Sequence, residues 1–190
     1  MSHQSSEEVE ADYVRQFGEK DGRSLHRVTN RVSQLCVEWR VFLYFFGSRK
    51  ERVDVLNTAS GSTARILQNA LWDNALLKIR RLTDPHKTRT NKNLSLDFLR
   101  ELALRASGVD LSEEYQDMQS RTKPARDYVT KYLAHSDWEH ALGDKQTSVR
   151  RDETTEAIRA MIEFTATFHE RVRNVTYRLM PITAIPDEQD

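Results

Sequence analysis

The sequence predicts an all-α protein, an antiparallel bundle of four to five helices. Three long stretches carry apolar residues that step alternately by three and four, and this spacing of about 3.5 residues is typical of helices packed lengthwise. Only six glycines and four prolines occur in 190 residues, which is few for a chain of strands and tight turns. No stretch shows the strict apolar–polar alternation that indicates a strand.

Glycines mark the ends of the first two predicted helices. A short amphipathic helix is expected over 7–17 and is closed by Gly18 and Gly22. The first long helix is predicted from Ser24 to Phe46, where Gly47 provides a C-terminal stop. Its apolar positions repeat over three heptads: Leu25, Val28, Val32, Leu35, Trp39, Phe42 and Phe46.

A second long helix is predicted over 49–82, with Pro85 as its stop. Gly61 lies inside it and allows a close helix approach or a slight kink. The apolar surface of this helix is expected to include Ile66 and Leu67. The following loop, 83–93, is polar and basic, and it is either a solvated connector or a patch that faces phosphate. The basic residues in and before it are Arg80, Arg81, Lys87, Arg89 and Lys92.

Three further helices complete the prediction. A short one starts near Asn93, which can act as its cap, and the next starts near Asp110 or Ser112. Pro124 is expected to bend or split that helix. The last helix is predicted from Asp152 to Met180. The chain therefore divides into a flexible N-terminal segment, 1–22, that can hold a short helix, a helical bundle over 23–180, and a flexible acidic tail over 181–190.

Composition narrows the function classes. Lys and Arg together number 29, as do Asp and Glu, so the net charge is zero, which argues against broad coating of nucleic acid but leaves room for a local basic patch. Cys36 is the only cysteine and cannot form an internal disulfide or a cysteine zinc site alone. The longest apolar run, 41–46, is too short to span a bilayer. A cytoplasmic protein without membrane association is expected.

The stretch from Lys123 to Trp138 contains the candidate catalytic residues. Arg126 supplies a fixed cationic fork, and His135 has an ordinary pKa near neutrality. Such a pair suits cleavage of a phosphodiester, in which the arginine stabilises negative charge and the histidine transfers a proton. On a straight helix the nine-residue step between them turns about 180°, so a two-fold dimer would be needed to bring them together. Lys131 lies one turn before His135 within the same chain.

Simpler interpretations stand beside this one. An arginine and a histidine on a helix are usually solvated surface, and His135 can serve as a helix cap. A metal site built from His135, Asp137 and their neighbours fits no known ligand spacing, so neither a metal nor another cofactor is expected. His26 and His169 lie on predicted helices and are expected at the surface.

The motif Ala134-His135-Ser136-Asp137, at the end of a basic helix, resembles the HEPN superfamily. The stretch Lys-Ile-Arg-Arg-Leu-Thr-Asp-Pro over 78–85, followed by Asn-Leu-Ser-Leu over 93–96, resembles more narrowly the AbiU-like abortive-infection HEPN domains of bacteria. The resemblance covers roughly residues 25–180. It implies a bundle of α-helices, usually a homodimer, and many members are metal-independent ribonucleases in antiphage or toxin–antitoxin systems. Within the turn, Arg81 and Asp84 are expected to pair structurally.

Carried over residue by residue, His135 matches the family histidine. Arg126 is the nearest upstream arginine, but eight residues intervene where the family usually has four to six, and Val129 stands where an arginine would fit. Either Arg126 serves from one turn back, or Lys131 replaces it, or the site is degenerate.

The resemblance implies RNA, a second copy of the chain and an antitoxin protein as partners. The leading hypothesis is a metal-independent ribonuclease with His135 as acid or base and Arg126 or Lys131 beside the phosphorane. The alternatives are a non-catalytic module that binds RNA, a nucleotide or a protein partner, and a purely structural bundle. The residues expected to contact RNA are Arg80, Arg81, Lys87, Arg89 and Asp137.

Overall fold

A computed structural model describes residues 5–47, 50–133 and 148–177. These residues form six α-helices and one π-helical turn, and the predicted all-α bundle is confirmed. The elements are α1 (Ser6–Phe17), α2 (Glu19–Phe46), α3 (Lys50–Leu82), α4 (Asp97–Ser107), α5 (Ser112–Tyr128), the π-turn (Val129–Leu133) and α6 (Arg151–Arg173). Within the described ranges, the only β contact is an isolated bridge between Lys87 and Lys92.

The first two helices form an antiparallel hairpin. Gly18 joins them with a φ of 80°, a conformation that suits glycine because it lacks a Cβ. α2 begins at Glu19, five residues before the predicted start, because Gly22 lies inside the helix instead of breaking it. A Cβ at Gly22 would lie 2.5 Å from the Cα of Val14, so this glycine permits the close approach of α1. Tyr13 of α1 is buried at 2% exposure, which joins the N-terminal helix to the core.

His26 ties α1 to α2, and its predicted surface position is wrong. Its side chain is only 10% exposed. Nδ1 lies 3.0 Å from Oε2 of Glu10, and Nε2 lies 3.1 Å from Oγ of Ser6 and 3.0 Å from Nδ2 of Asn30. Both ring nitrogens therefore have partners that hold the two helices together.

α2 and α3 also run antiparallel and pack through aromatic rings. Trp39 stacks on Phe42 with 4.7 Å between ring centroids and lies 5.6 Å from Trp72. The kink expected near Gly61 occurs at Ser60, whose φ of −171° and ψ of 100° are not helical. The Oγ of Ser60 accepts a hydrogen bond from the backbone N–H of Thr63 at 3.4 Å and so caps the second half of α3.

The exposed stretch of α3 departs from the prediction. Ile66 is 68% exposed and Leu67 is 42% exposed, so neither contributes to the buried surface expected of them, and Val55 is 69% exposed. The helix packs onto the bundle mainly through its C-terminal half, where Ala75, Leu76 and Ile79 are buried. Val55, Ile66 and Leu67 therefore lie outside the face of α3 that packs onto the bundle.

The loop after α3 is closed by its own hydrogen bonds, and α4 starts later than predicted. Asn93 does not cap the helix, because its side chain donates to the carbonyl of Pro85 at 2.9 Å and its backbone N–H donates to that of His86 at 2.7 Å. α4 begins instead at Asp97, whose carboxylate accepts the His86 N–H at 2.9 Å.

Pro124 was expected to bend or split this helix, and the split does not occur, because α5 continues through Pro124 as a single helix. Pro124 is exposed, whereas Thr122 and Ala125 on the opposite face are fully buried. Packing of that face holds the helix although the proline removes one backbone donor. α5 and α6 run antiparallel, and Arg121 joins them through Glu156 at 2.7 Å and Glu163 at 2.6 Å.

α6 ends at Arg173, seven residues before the predicted end. Asn174 adopts a left-handed conformation with φ of 52°, which terminates the helix. The chain then folds back so that the ring of Tyr177 stacks on His169 with 4.5 Å between centroids. His169, predicted at the surface, is fully buried between Tyr177 and Tyr13. Burial and the neighbouring Arg173 lower its pKa to about 3.

The core lies between α2, α3, α5 and α6, with α4 closing one end. Cys36 is buried there, and burial raises the pKa of its thiol. Within the part of the chain that the structure describes, no helix combines the length and the apolar character needed to cross a membrane.

Candidate functional site

Arg126 lies on α5 in a network that reaches the end of α3. Its Nη1 donates to Oε1 of Gln119, one heptad earlier on the same helix. The amide nitrogen of Gln119 donates to the carbonyl of Thr83 at 2.9 Å and to the hydroxyl of Tyr115 at 2.7 Å. Both ends of the Gln119 amide are therefore engaged, and the guanidinium of Arg126 is held in a fixed orientation.

Arg126 is partly buried, and its Nε has no hydrogen-bond partner among the described residues. A guanidinium keeps its charge at any accessible pH. A guanidinium held in one orientation suits an anionic ligand, because hydrogen bonds from a cation to an anion are among the stronger ones.

Tyr115 belongs to the same network, because its hydroxyl accepts a hydrogen bond from the Gln119 amide. Burial, together with the nearby Asp97, raises the pKa of its phenol to about 12, so the hydroxyl stays protonated at neutral pH. Its ring packs edge-on against Phe164 at 5.7 Å. The guanidinium of Arg100 lies 5.4 Å from its ring centroid and is bound by Asp97 at 2.7 Å.

The turn between α3 and α4 is adjacent to this network. Arg80, and not Arg81, pairs with Asp84, so the predicted partner is corrected by one residue. The four-residue step from Arg80 to Asp84 places both on one face of the helix end, whereas Arg81 is exposed. Thr83 lies between them, and its carbonyl is the acceptor for Gln119. The structure thus joins the Arg-Leu-Thr-Asp-Pro turn to Arg126 through a single side chain.

The other basic residues of the loop lie away from Arg126. Lys87 is bound by Glu101 of α4 at 2.6 Å. Arg89 is exposed at the tip of the loop. No described contact joins either residue to Gln119 or Arg126.

The π-turn lies between Arg126 and the Ala-His-Ser-Asp motif. A π-turn accommodates an extra residue within a helix and is frequent at functional sites. The half-turn offset expected between Arg126 and His135 was calculated for a regular α-helix, so it does not apply across this segment. Lys131 is exposed on the π-turn. His135 and Asp137 lie outside the described residues.

An open cavity of about 940 Å³ borders the π-turn. Its lining includes Trp72 and Asp73 of α3, Tyr128 and Tyr132 at the junction of α5 with the π-turn, and Arg150 at the start of α6. The rings of Tyr128 and Tyr132 stack on each other with 4.7 Å between centroids and 25° between planes. This cavity is called the aromatic cavity below.

Within the described ranges, no three histidine, cysteine, aspartate or glutamate side chains come together in a way that could hold a metal ion.

The described residues form an all-α bundle of antiparallel helices, and comparison with known proteins identifies its family. Residues 20–178 match the AbiU2 family of HEPN domains (HEPN_AbiU2). Because this match covers most of the chain, the protein belongs to that family, and the resemblance seen in the sequence is confirmed. No curated protein and no solved structure shows significant similarity to the chain.

Sequence reasoning missed Gln119 and Tyr115. Gln119 lies seven residues before Arg126, and this step places two residues on the same face of a helix. That spacing could have identified Gln119 as a neighbour of the arginine. Its contact with Thr83, 36 residues earlier, carries no signal in the sequence.

Proposed function

We propose that this abortive-infection HEPN module is a metal-independent ribonuclease that acts in the cytoplasm in antiphage or toxin–antitoxin defence. The observation that carries the proposal is the orientation of the partly buried Arg126, which is held by Gln119. It lies on the helix that leads through the π-turn towards His135. A fixed cation near a histidine is what phosphodiester cleavage requires.

The proposed reaction needs no metal. Neutral His135 takes the proton of a ribose 2′-hydroxyl, and the 2′-oxygen attacks the adjacent phosphorus. Arg126 or Lys131 stabilises the negative charge of the phosphorane that forms. The bond to the 5′-oxygen then breaks and a protonated histidine supplies its proton, leaving a 2′,3′-cyclic phosphate and a 5′-hydroxyl.

The active form is proposed to be a homodimer in which the cation of one subunit meets the histidine of the other. The exposed apolar side chains of α3, Val55, Ile66 and Leu67, support this assembly, because large exposed apolar groups often mark a protein interface. Arg80, Arg81, Lys87, Arg89 and Asp137 are proposed to contact RNA outside the reacting centre. An antitoxin protein would then act by covering this surface.

The proposal is tested by RNA cleavage in the presence of EDTA. The wild type is compared with His135→Ala, Arg126→Ala and Lys131→Ala. We expect EDTA-resistant cleavage by the wild type, no cleavage by His135→Ala, and a loss of about a hundredfold or more for whichever cation stabilises the phosphorane. Equal cleavage by the wild type and His135→Ala, or none by a folded dimeric wild type, would reject the ribonuclease.

A second candidate is a non-catalytic HEPN module that binds RNA, a nucleotide or a protein partner. It is favoured by the spacing between Arg126 and His135, because eight residues intervene where the family usually has four to six. RNA binding by a wild type that never cleaves RNA would support this candidate.

A further inference from the structure

The aromatic cavity is built from the elements that flank the proposed reacting centre. Tyr128 and Tyr132 are four residues apart, and Tyr132 lies within the π-turn itself. At about 940 Å³ the cavity is large enough for a nucleotide, since ligand pockets commonly span roughly 300–1,000 Å³.

Aromatic rings supply most of the apolar wall. The stacked tyrosines form one side, and Trp72 forms another, where its ring lies 5.4 Å from that of Phe42. Single-stranded RNA is recognised largely by stacking of its bases on such rings, and every base has a face that can stack. These walls therefore suit a planar heterocycle.

A carboxylate and two amides add hydrogen-bonding groups to the same cavity. Asp73 lies beside Trp72 on α3, and Gln68 and Asn69 lie one turn earlier. Burial raises the pKa of Asp73, and no described residue forms an ion pair with it. A carboxylate has two acceptor oxygens and can receive two parallel hydrogen bonds.

Two arginines also line the cavity. Arg150 is exposed at the start of α6, where it contacts Asp152 at 3.3 Å. Arg151 is fixed by hydrogen bonds to the carbonyls of Phe46 and Gly47 at the end of α2. Asp152, the partner of Arg150, also lines the cavity, so Arg151 supplies the cation for the phosphate of a nucleotide whose base lies inside.

We propose that the aromatic cavity binds a guanine base of single-stranded RNA, stacked against the tyrosine pair, with the Asp73 carboxylate accepting from the ring N1–H and the exocyclic amino group. The inference rests on RNA as the substrate of the proposed function and adds the base that is read. Guanine is favoured because it presents two adjacent donors to one carboxylate, whereas uracil offers only a single ring N–H between two carbonyls.

The test measures binding of fluorescent RNA dodecamers by anisotropy at fixed salt concentration. The full chain carries His135→Ala so that the RNA stays intact. One dodecamer is oligouridine, and the other contains a single central guanine. We expect roughly tenfold tighter binding of the guanine dodecamer, as for other pairs of parallel hydrogen bonds to a base.

Variants then test which residues cause the preference for guanine. Asp73→Asn should remove it, while Asp54→Asn, on the same helix but outside the cavity, should keep it. Tyr132→Ala should weaken binding of both dodecamers roughly tenfold through lost stacking, and Tyr132→Phe should not. Equal affinity of the protein with an unchanged cavity for the two dodecamers would overturn the inference, and this outcome does not rely on the folding of a cavity variant. A guanine preference that survives Asp73→Asn would also overturn it.

The ribonuclease proposal is tested separately, by measuring RNA cleavage by the wild type in the presence of EDTA. Cleavage without any guanine preference rejects the guanine site and leaves the ribonuclease standing. Guanine-selective binding that depends on Asp73, without cleavage, supports the cavity and rejects the ribonuclease.

Discussion

Arg126 and Gln119 lie seven residues apart on α5 and are joined by a hydrogen bond from the guanidinium to the amide oxygen. Because the nitrogen of the same amide donates to the carbonyl of Thr83, Gln119 connects the two parts of the chain that carry the family resemblance. The orientation of Arg126 therefore depends on the turn that ends α3.

Gln119→Leu is expected to affect both stability and cleavage. It leaves the Thr83 carbonyl and the Tyr115 hydroxyl without their donor, so the free energy of unfolding should fall by about 1–3 kcal/mol. RNA cleavage should fall about tenfold, since Arg126 is no longer held. Urea unfolding and cleavage with EDTA measure the two effects.

Gln119→Glu provides the matched control for that prediction. A carboxylate still accepts from Arg126 but cannot donate to Thr83, so this variant should lose stability while keeping more activity than the leucine variant. Wild-type cleavage by Gln119→Leu would contradict the positioning role.

Asp97→Ala should be among the more destabilising single changes. The carboxylate is buried at 7% residue exposure and accepts from the His86 N–H and from Nε and Nη2 of Arg100. Its loss leaves a partly buried cation and a backbone donor unpaired, for an expected decrease of about 2–3 kcal/mol in unfolding free energy. Asp54→Ala, which removes an exposed helical pair with Lys50, should stay within about 0.5 kcal/mol. Equal effects of the two changes in urea unfolding would refute this ranking.

The regular parts of the bundle could be predicted because their residues face one core. The heptad positions of α2 from Leu25 to Phe42 are all buried. The helix boundaries that were predicted wrongly depend on contacts between distant segments. The start of α2 is set by α1 packing over Gly22, and the end of α6 is set by Asn174 and by the return of Tyr177 onto His169.

The candidate site was predictable only in part. Arg126 was identified from the motif, but whether its side chain is free or held depends on Gln119 and on a carbonyl 36 residues away from it. The choice of Arg80 over Arg81 as the partner of Asp84 could not be made from spacing, because steps of three and of four residues both place a pair on one helix face. A π-turn leaves no mark in residue spacing, so the geometry after Val129 could not be derived.

Ile66→Glu tests the exposed face of α3. Ile66 is 68% exposed, so a charge there should leave the folded monomer nearly as stable as the wild type. If this face joins two copies, the variant should become monomeric in light scattering after gel filtration and lose EDTA-resistant cleavage. Arg65→Glu adds the same side chain at an exposed neighbour that is not apolar. A dimeric Ile66→Glu protein would place the interface elsewhere.

His169 should make the protein less stable as the pH falls below neutrality. Its folded pKa of about 3 lies below the ordinary value of 6.5, so the unfolded chain binds the proton first. The stability is complete above about pH 6.5 and decreases as the pH falls towards 3, by about 2 kcal/mol at pH 5. His169→Phe keeps a ring between Tyr13 and Tyr177 and should lose this part of the pH dependence in urea unfolding. Identical pH profiles for the two proteins would refute the assignment.

Deletion of Thr130 tests whether the π-turn sets the geometry of the motif that follows. Thr130 is exposed, and its hydroxyl donates to the carbonyl of Arg126 at 2.9 Å. Because a π-turn holds one extra residue, the deletion should restore a regular α-helix and leave the following residues in nearly the same orientation relative to Arg126. Circular dichroism should show the same helical content and a cooperative thermal transition, and EDTA-resistant cleavage should be retained. Thr130→Ala, which keeps the residue count, should also retain cleavage. Loss of cleavage by a folded deletion variant would show that the reacting groups depend on the π-turn itself.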